Sequence, residues 1–183
     1  PFADIEFLKK IDTKIIKPTI KGIVKDKLDY VGFIFIGIIK VENEPFVIEY
    51  NVRMGDPETQ VVLPRIKNDF LELMVKTANG KLDSVKLEIE KMSYANVVAV
   101  SKGYPEQYEK GKTITGLEAE SDSIIFHAGT KKESENIVTN GGRVFSVVSR
   151  AESFDLALKK SYQNIKSINF EGMQYRKDLG FDL

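Results

Sequence analysis

Apolar residues open the chain with a helical period. At about 100° per residue, Leu8, Ile11, Ile15, Ile16, Ile20 and Ile23 share one broad side, and Lys10, Lys14, Lys17, Lys21 and Lys25 share the other. Asp4 is placed to cap this helix. Pro18 lacks an N–H and crowds the turn before it, so a kink or a break into two helices is expected there. The lysine stripe follows from amphipathicity as a solvated face; a phosphate-binding surface is the alternative.

Two strands are expected next, at residues 32–41 and 46–53, joined by the turn-like Glu42-Asn43-Glu44-Pro45. Gly55-Asp56-Pro57-Glu58-Thr59-Gln60 has turn chemistry and then opens a short helix, since Pro fits the first helical position. Asp69 caps a further helix over residues 70–78, closed by Asn79-Gly80. From residue 82 the pattern shortens to strands: 85–92, 96–100, 123–128, and 144–148 returning from a hairpin at Asn140-Gly141-Gly142. Ser153 caps a last helix to about residue 166, with Phe154, Ala157, Leu158, Tyr162 and Ile165 facing inward. This is an α+β pattern, divided most naturally between residues 1–81 and 82–183.

Composition then removes chemistries. No Cys excludes disulfides, thiolate metal sites and a cysteine nucleophile. A single His127 excludes mechanisms that need two imidazoles. Lys and Arg total 27, as do Asp and Glu, so the chain lacks the basic excess of a nucleic-acid binder. The most apolar stretch, residues 31–39, is nine residues long, against about 20 for a membrane-spanning helix. No basic-then-apolar leader opens the chain and no initiator Met is present; a chain that starts on Pro1 is expected to have been cut or processed.

The second strand carries the candidate chemistry. Side chains alternate along a strand, so Phe46, Ile48, Tyr50 and Val52 are expected to point into a core and Glu49, Asn51 and Arg53 away from it. Carboxylate and amide oxygens are hard ligands suited to Mg²⁺, which fills the rest of its shell with phosphate and water. A guanidinium suits bidentate pairing with phosphate or carboxylate. The alternative is an exposed sheet face with a Glu–Arg cross-pair. The turn that follows adds backbone N–H groups at a helix start, where anions bind, and Asp56, which can accept from an amine.

Glu49-Tyr-Asn-Val-Arg-Met-Gly-Asp-Pro-Glu-Thr-Gln-Val-Val-Leu-Pro-Arg65 resembles the signature of the phosphoribosylamine–glycine ligases, also called glycinamide ribonucleotide synthetases. Upstream, Ile16-Lys-Pro-Thr and Tyr30-Val-Gly-Phe-Ile-Phe-Ile-Gly are similar to the family's helix and following strand. Downstream, Ser101-Lys-Gly-Tyr-Pro, Tyr108-Glu-Lys-Gly-Lys, Ile114-Thr-Gly-Leu, Phe126-His-Ala-Gly-Thr, Thr139-Asn-Gly-Gly-Arg-Val and Tyr175-Arg-Lys-Asp-Leu-Gly occur in family order. Lys102 stands where the family usually has Gly, and Tyr50 and Met54 where Phe is common.

The resemblance implies the second portion of an ATP-grasp domain, an antiparallel sheet with helices (1–81), then a small β-rich carboxy-terminal domain with a packed helix (82–183). The glycine-rich loop and lysine-bearing strands that clamp ATP in the family are not in this sequence, so the later part of a longer cytoplasmic enzyme is expected, inactive alone. The implied activity joins glycine to 5-phosphoribosylamine through a glycyl phosphate, giving glycinamide ribonucleotide, ADP and phosphate in purine synthesis. The implied cofactors are ATP and Mg²⁺ or Mn²⁺, held by Glu49 and Asn51. Arg53 is implied to bind the glycine carboxylate and acyl phosphate, and Gly55, Asp56, Pro57 and Glu58 to bind substrate. Partners would be these small molecules and the enzyme's amino-terminal part, with no nucleic acid or membrane. A different ATP-grasp ligase, a purine carboxylase, or a non-catalytic interaction module are the alternatives. His127 reads as structural, Asn140-Gly141-Gly142 as a turn, and Arg143 and Arg176 as surface pairs or phosphoribosyl ligands.

Overall fold

The computed structural model describes residues 3–118 and 120–181. Two units emerge: residues 3–56 with 68–87, and residues 57–67 with 88–181. Compared with the single division at 81/82, residues 57–67 fold with the second unit and the first extends to residue 87.

The first unit begins with α1 (Ile5–Ile11), a π-helical segment (Asp12–Ile16) and α2 (Lys17–Lys25). Asp4 caps α1, accepting from the Phe7 N–H at 2.8 Å. Pro18 lies in the first turn of α2, and the turn before it widens to π geometry. That widening relieves the clash a proline ring makes with the carbonyl four residues back, so the helix is re-phased without being interrupted. The expected inward face is corrected as well: Phe7 and Ile15 are buried, whereas Leu8, Ile16 and Ile20 are exposed. The lysine stripe is partly engaged, since Lys10 and Lys14 both pair with Glu44.

β1 (Phe35–Val41) and β2 (Glu44–Asn51) form an antiparallel ribbon. The turn is tighter than expected. Glu42 and Asn43 both take positive φ, as a two-residue hairpin loop of this hand requires, and Pro45 already lies in the strand. A bulge interrupts the ladder: Gly37 pairs with Glu49 and Ile38 with Val47, leaving Ile48 without a cross-strand partner. One additional residue reverses the alternation, so Phe46 shares a face with Glu49 and Asn51 and not with Tyr50. The expectation of a buried Phe46/Ile48/Tyr50/Val52 face is overturned on exposure as well: all four are exposed, Phe46 at 54% and Val52 at 71%. α4 (Phe70–Ala78) runs as expected from the Asp69 cap, which accepts from Glu72 N–H at 2.9 Å, to Asn79-Gly80. Phe70 of α4 stacks on Phe33.

The second unit is built on a four-stranded antiparallel sheet in the order β4 (Ile124–His127), β7 (Arg143–Ala151), β3 (Ser93–Ser101), β8 (Met173–Gln174). One face of β3 (Ala95, Val97, Ala99, Ser101) is buried. α5 (Phe154–Ile165), capped by Ser153 on Leu156 N–H, packs on β3 and β7. Its buried positions are Ala157, Ser161 and Ile165, so the inward face centres on a serine that the periodicity passed over. Ser161 donates to the Ala95 carbonyl at 2.9 Å and accepts from Ser149 N–H at 3.1 Å, which satisfies a buried hydroxyl and ties helix to sheet. The core continues through Val144, Phe145, Val147, Ile168 and Phe170, with Phe145 edge-on to Phe170.

Two strand expectations fail. Residues 85–92 form no strand and contribute one isolated bridge, Ile66 with Ile89. Asn140-Gly141-Gly142 is not a hairpin turn: β6 (Asn136–Thr139) pairs with β5 (Thr130–Glu133), while β7 pairs with β3 and β4, so the glycines carry the chain from one sheet to another. A Cβ on Gly141 would lie 2.9 Å from the Gly129 Cα, and that close backbone crossing explains the glycine.

Candidate functional site

The bulge in β2 presents the candidate row. Glu49, Asn51 and Arg53 lie along the end of the strand as a hydrogen-bonded chain: Asn51 Nδ2 donates to Glu49 Oε1 at 2.9 Å, and Arg53 Nη2 donates to Asn51 Oδ1 at 3.2 Å. Arg53 Nη1 also donates to the Met54 carbonyl at 2.9 Å, which turns the guanidinium along the backbone. Gly37 faces Glu49 across the ribbon, and a Cβ there would stand 3.1 Å from Glu49 Cγ. The glycine therefore leaves room for the carboxylate to lie over its neighbour strand, a positioning role that the expectation of a strand at residues 32–41 did not include. Tyr30 anchors the segment beyond the strand, donating to the Phe33 and Val52 carbonyls at 2.5 and 3.3 Å.

Electrostatically the row reads anion, dipole, cation, each neutralising the next. Its oxygen set, one carboxylate and one amide two residues apart on an exposed strand, fits a hard divalent cation. Among the described residues no three His, Asp or Glu side chains gather into a cage. A cation held here would complete its shell with ligand oxygens and water.

The turn after the row crosses between units. Gly55 is buried and ends the first unit with the exposed Asp56; Pro57 and Glu58 begin the second. The structure thus joins Glu49, Asn51 and Arg53 by direct contacts, and distributes the four turn residues over two units. The helix that follows, α3 (Thr59–Val62), is a single turn continued as a 3₁₀ turn over Leu63–Arg65. So few aligned peptide dipoles give little of the anion attraction expected of a helix start. What fixes the turn is Asn96 of β3, whose Nδ2 donates to the Pro57 carbonyl at 3.1 Å. Asn96 was missed because its strand reads as apolar; the available signal was one amide between valine and alanine positions.

His127 is exposed at the end of β4, its Nδ1 3.0 Å from Thr130 Oγ1. Arg176 pairs with both carboxylate oxygens of Asp178 at 2.8 and 2.7 Å, and this contact holds the Asp178 carboxyl below its ordinary range.

Two family models match the chain: phosphoribosylglycinamide synthetase, ATP-grasp (A) domain, over residues 1–59, and phosphoribosylglycinamide synthetase, C domain, over residues 94–182. The phosphoribosylamine–glycine ligase of Caldanaerobacter subterraneus is 43% identical over 179 residues, aligning 98% of this chain with 43% of that protein. The Fusobacterium nucleatum protein of the same name is 45% identical over 184 residues, again 98% of this chain and 43% of the relative. The crystal structure of phosphoribosylamine–glycine ligase from Thermotoga maritima superposes with a TM-score of 0.77 at 34% identity, covering 93% of this chain and 42% of that one. The chain therefore spans under half the length of the relatives it matches. Among the described residues no helix is long and apolar enough to cross a membrane.

Proposed function

Since the chain belongs to the phosphoribosylglycinamide synthetase family, we propose that it supplies the metal- and carboxylate-binding end of an ATP-dependent ligase acting on glycine and 5-phosphoribosylamine. The observation that carries this reading is the contiguous Glu49–Asn51–Arg53 row at the head of the Gly55-Asp56-Pro57-Glu58 turn. Glu49 and Asn51 would hold Mg²⁺ or Mn²⁺, which when bound offsets charge on the ATP phosphates during phosphoryl transfer. Arg53 pairs with the glycine carboxylate and orients it towards the γ-phosphoryl group. The carboxylate oxygen forms a bond to phosphorus as the bond to ADP breaks. The amine of phosphoribosylamine then adds to the acyl carbon, phosphate departs, and the nitrogen loses a proton. An amine attacking an acyl phosphate is reactive enough to need no general base.

The turn residues Gly55, Asp56, Pro57 and Glu58 contact substrate in this reading, and the reaction runs in the cytoplasm. The isolated 183-residue chain has no turnover, because its relatives are more than twice its length and the ATP clamp of the resembled family lies outside it. Glu49→Ala and Asn51→Ala, placed in the full gene product that carries this sequence, should each raise the Mg²⁺ requirement and lower kcat by about 100-fold, in line with loss of a metal ligand. Normal turnover and Mg²⁺ dependence in both variants would remove the metal assignment.

A further inference from the structure

The segment after the signature turn cannot hold its own shape. α3 is one turn long, with Val61 and Val62 N–H both donating to the Glu58 carbonyl at 3.0 and 3.1 Å, and a lone helical turn does not persist in water without packing. Support comes from β3, on the face opposite its buried one, where Tyr94 and Asn96 alternate with Ala95 and Val97. Tyr94 Oη donates to the Pro64 carbonyl at 3.3 Å and Asn96 Nδ2 to the Pro57 carbonyl at 3.1 Å, so two side chains of one strand hold both ends of residues 57–64. The far end has further anchors: Lys67 N–H donates to the Glu88 carbonyl at 2.9 Å, and Glu90 N–H to the Arg65 carbonyl at 2.7 Å. At the near end, Asn96 fixes more than its one bond suggests. The Pro57 ring locks φ and a held carbonyl sets ψ, so both soft torsions of the residue are determined.

The grip costs stability. Among the described residues, the buried side-chain oxygens without a hydrogen-bond partner are Gln60 Oε1 and Asn96 Oδ1, one in the held segment and one in the residue that holds it. An apolar residue of similar size at position 96 would carry no orphan acceptor. Natural folds leave such violations chiefly at functional sites. We propose that Asn96 is a positioning residue for the ligation: through the Pro57 carbonyl it sets how the Gly55-Asp56-Pro57-Glu58 turn meets the substrate. The assignment rests on the ligase reading in taking this turn as the substrate's. Misplacement of a positioning element by about 1 Å costs up to about 100-fold in rate, and here the loss falls on the substrate and not on ATP or the metal.

The test combines kinetics, urea melts and amide hydrogen exchange of Asn96→Leu and Asn96→Ala in the full gene product that carries this sequence. Both variants should raise KM for glycine or phosphoribosylamine about tenfold or more, leaving KM for ATP and the Mg²⁺ requirement unchanged. Exchange at residues 58–62 should quicken about tenfold while the β3–β7 amides keep their rates. The urea midpoint of Asn96→Leu should not fall, since the orphan acceptor leaves together with the donor. A residue that only stabilised the fold would lower the midpoint and spare KM. Tyr94→Phe, at the end with other anchors, should change none of these readings. Unchanged KM or unchanged exchange in either Asn96 variant, or an equal effect of Tyr94→Phe, would overturn the proposal. If Asn96→Ala fails to fold, KM and exchange in Asn96→Leu decide. Two outcomes separate this role from the ligase reading. Raised KM in the Asn96 variants, with Glu49→Ala leaving turnover intact, would overturn the metal assignment alone. Normal KM in the Asn96 variants, with Glu49→Ala inactive, would overturn the positioning role alone.

Discussion

The two units use apolar residues in opposite ways. In the second, Val97, Val144, Phe145 and Ile165 are completely buried between sheet and helix. In the first, full burial is reached only at isolated positions such as Phe7, Ile15 and Leu73, while Phe46, Ile48 and Val52 remain in water. Sequence hydrophobicity does not separate them, since the Phe46 strand is as apolar as β7. The difference is architectural. A four-stranded sheet with a helix laid across it can close a core, whereas a two-stranded ribbon beside one helix leaves most of its surface open. Alternation shows which residues share a face, and only the neighbouring layer decides whether that face is covered.

The strongest test of this contrast is a pair of truncations. Phe145→Ala removes a fully buried ring and should cost about 3–5 kcal/mol, whereas Phe46→Ala, on a residue 54% exposed, should fall within about 0.5 kcal/mol. Urea melts of the two variants check it; equal losses would mean that the ribbon is as tightly packed as the sheet. A smaller effect is expected at the polar tie inside the core. Ser161→Ala keeps the volume nearly constant but leaves Ser149 N–H and the Ala95 carbonyl without this partner, for about 1–3 kcal/mol in the same melt. A neutral result would show that the sheet supplies other partners for both groups.

The smallest effect belongs to the first unit's ion cluster. Hydrogen bonds from Lys14 and then Lys10 hold the Glu44 carboxyl below its ordinary value of 4.5. A carboxyl with a depressed folded value stabilises the fold fully above its unfolded value, and that contribution is lost as pH falls through the depressed one. Acid titration followed by NMR should therefore disturb the β1–β2 turn amides only below about pH 4.5, with β3–β7 amides unaffected. Glu44→Gln should remove the transition; a titration at the ordinary value would show the cluster to be solvent-averaged.

Local chemistry was legible in the sequence. The Asp69 cap and the Asn79-Gly80 stop each depend on a few adjacent residues and stand as expected, while Pro18 disturbs the helix as a π-helical turn in place of the expected kink or break. Glu49, Asn51 and Arg53 were singled out by spacing, and the structure links them in a chain, Asn51 to Glu49 and Arg53 to Asn51. What failed depends on distant partners. Leu87, Glu88, Ile89 and Glu90 alternate like a strand, yet without a neighbouring ladder they supply one bridge. β5 was passed over because Thr130–Glu133 is mostly charged, and its turn through Ser134 at positive φ has no glycine. Asn96 could not be tied to the Pro57 turn, because nothing local in a strand predicts a contact 39 residues back.

The unpaired Ile48 carries a consequence for how this chain can vary. Its side chain is 66% exposed, so its identity is nearly unconstrained by packing. Its presence is felt in the twist of the strand. Deleting it would join Val47 to Glu49 and leave every other pair in register, Glu49 still opposite Gly37 and Val47 still opposite Ile38, while the ribbon lost the extra local twist of the bulge. The face shared by Glu49 and Asn51 is held by their pairing with Gly37 and Phe35, and it survives a change in the number of residues that precede it.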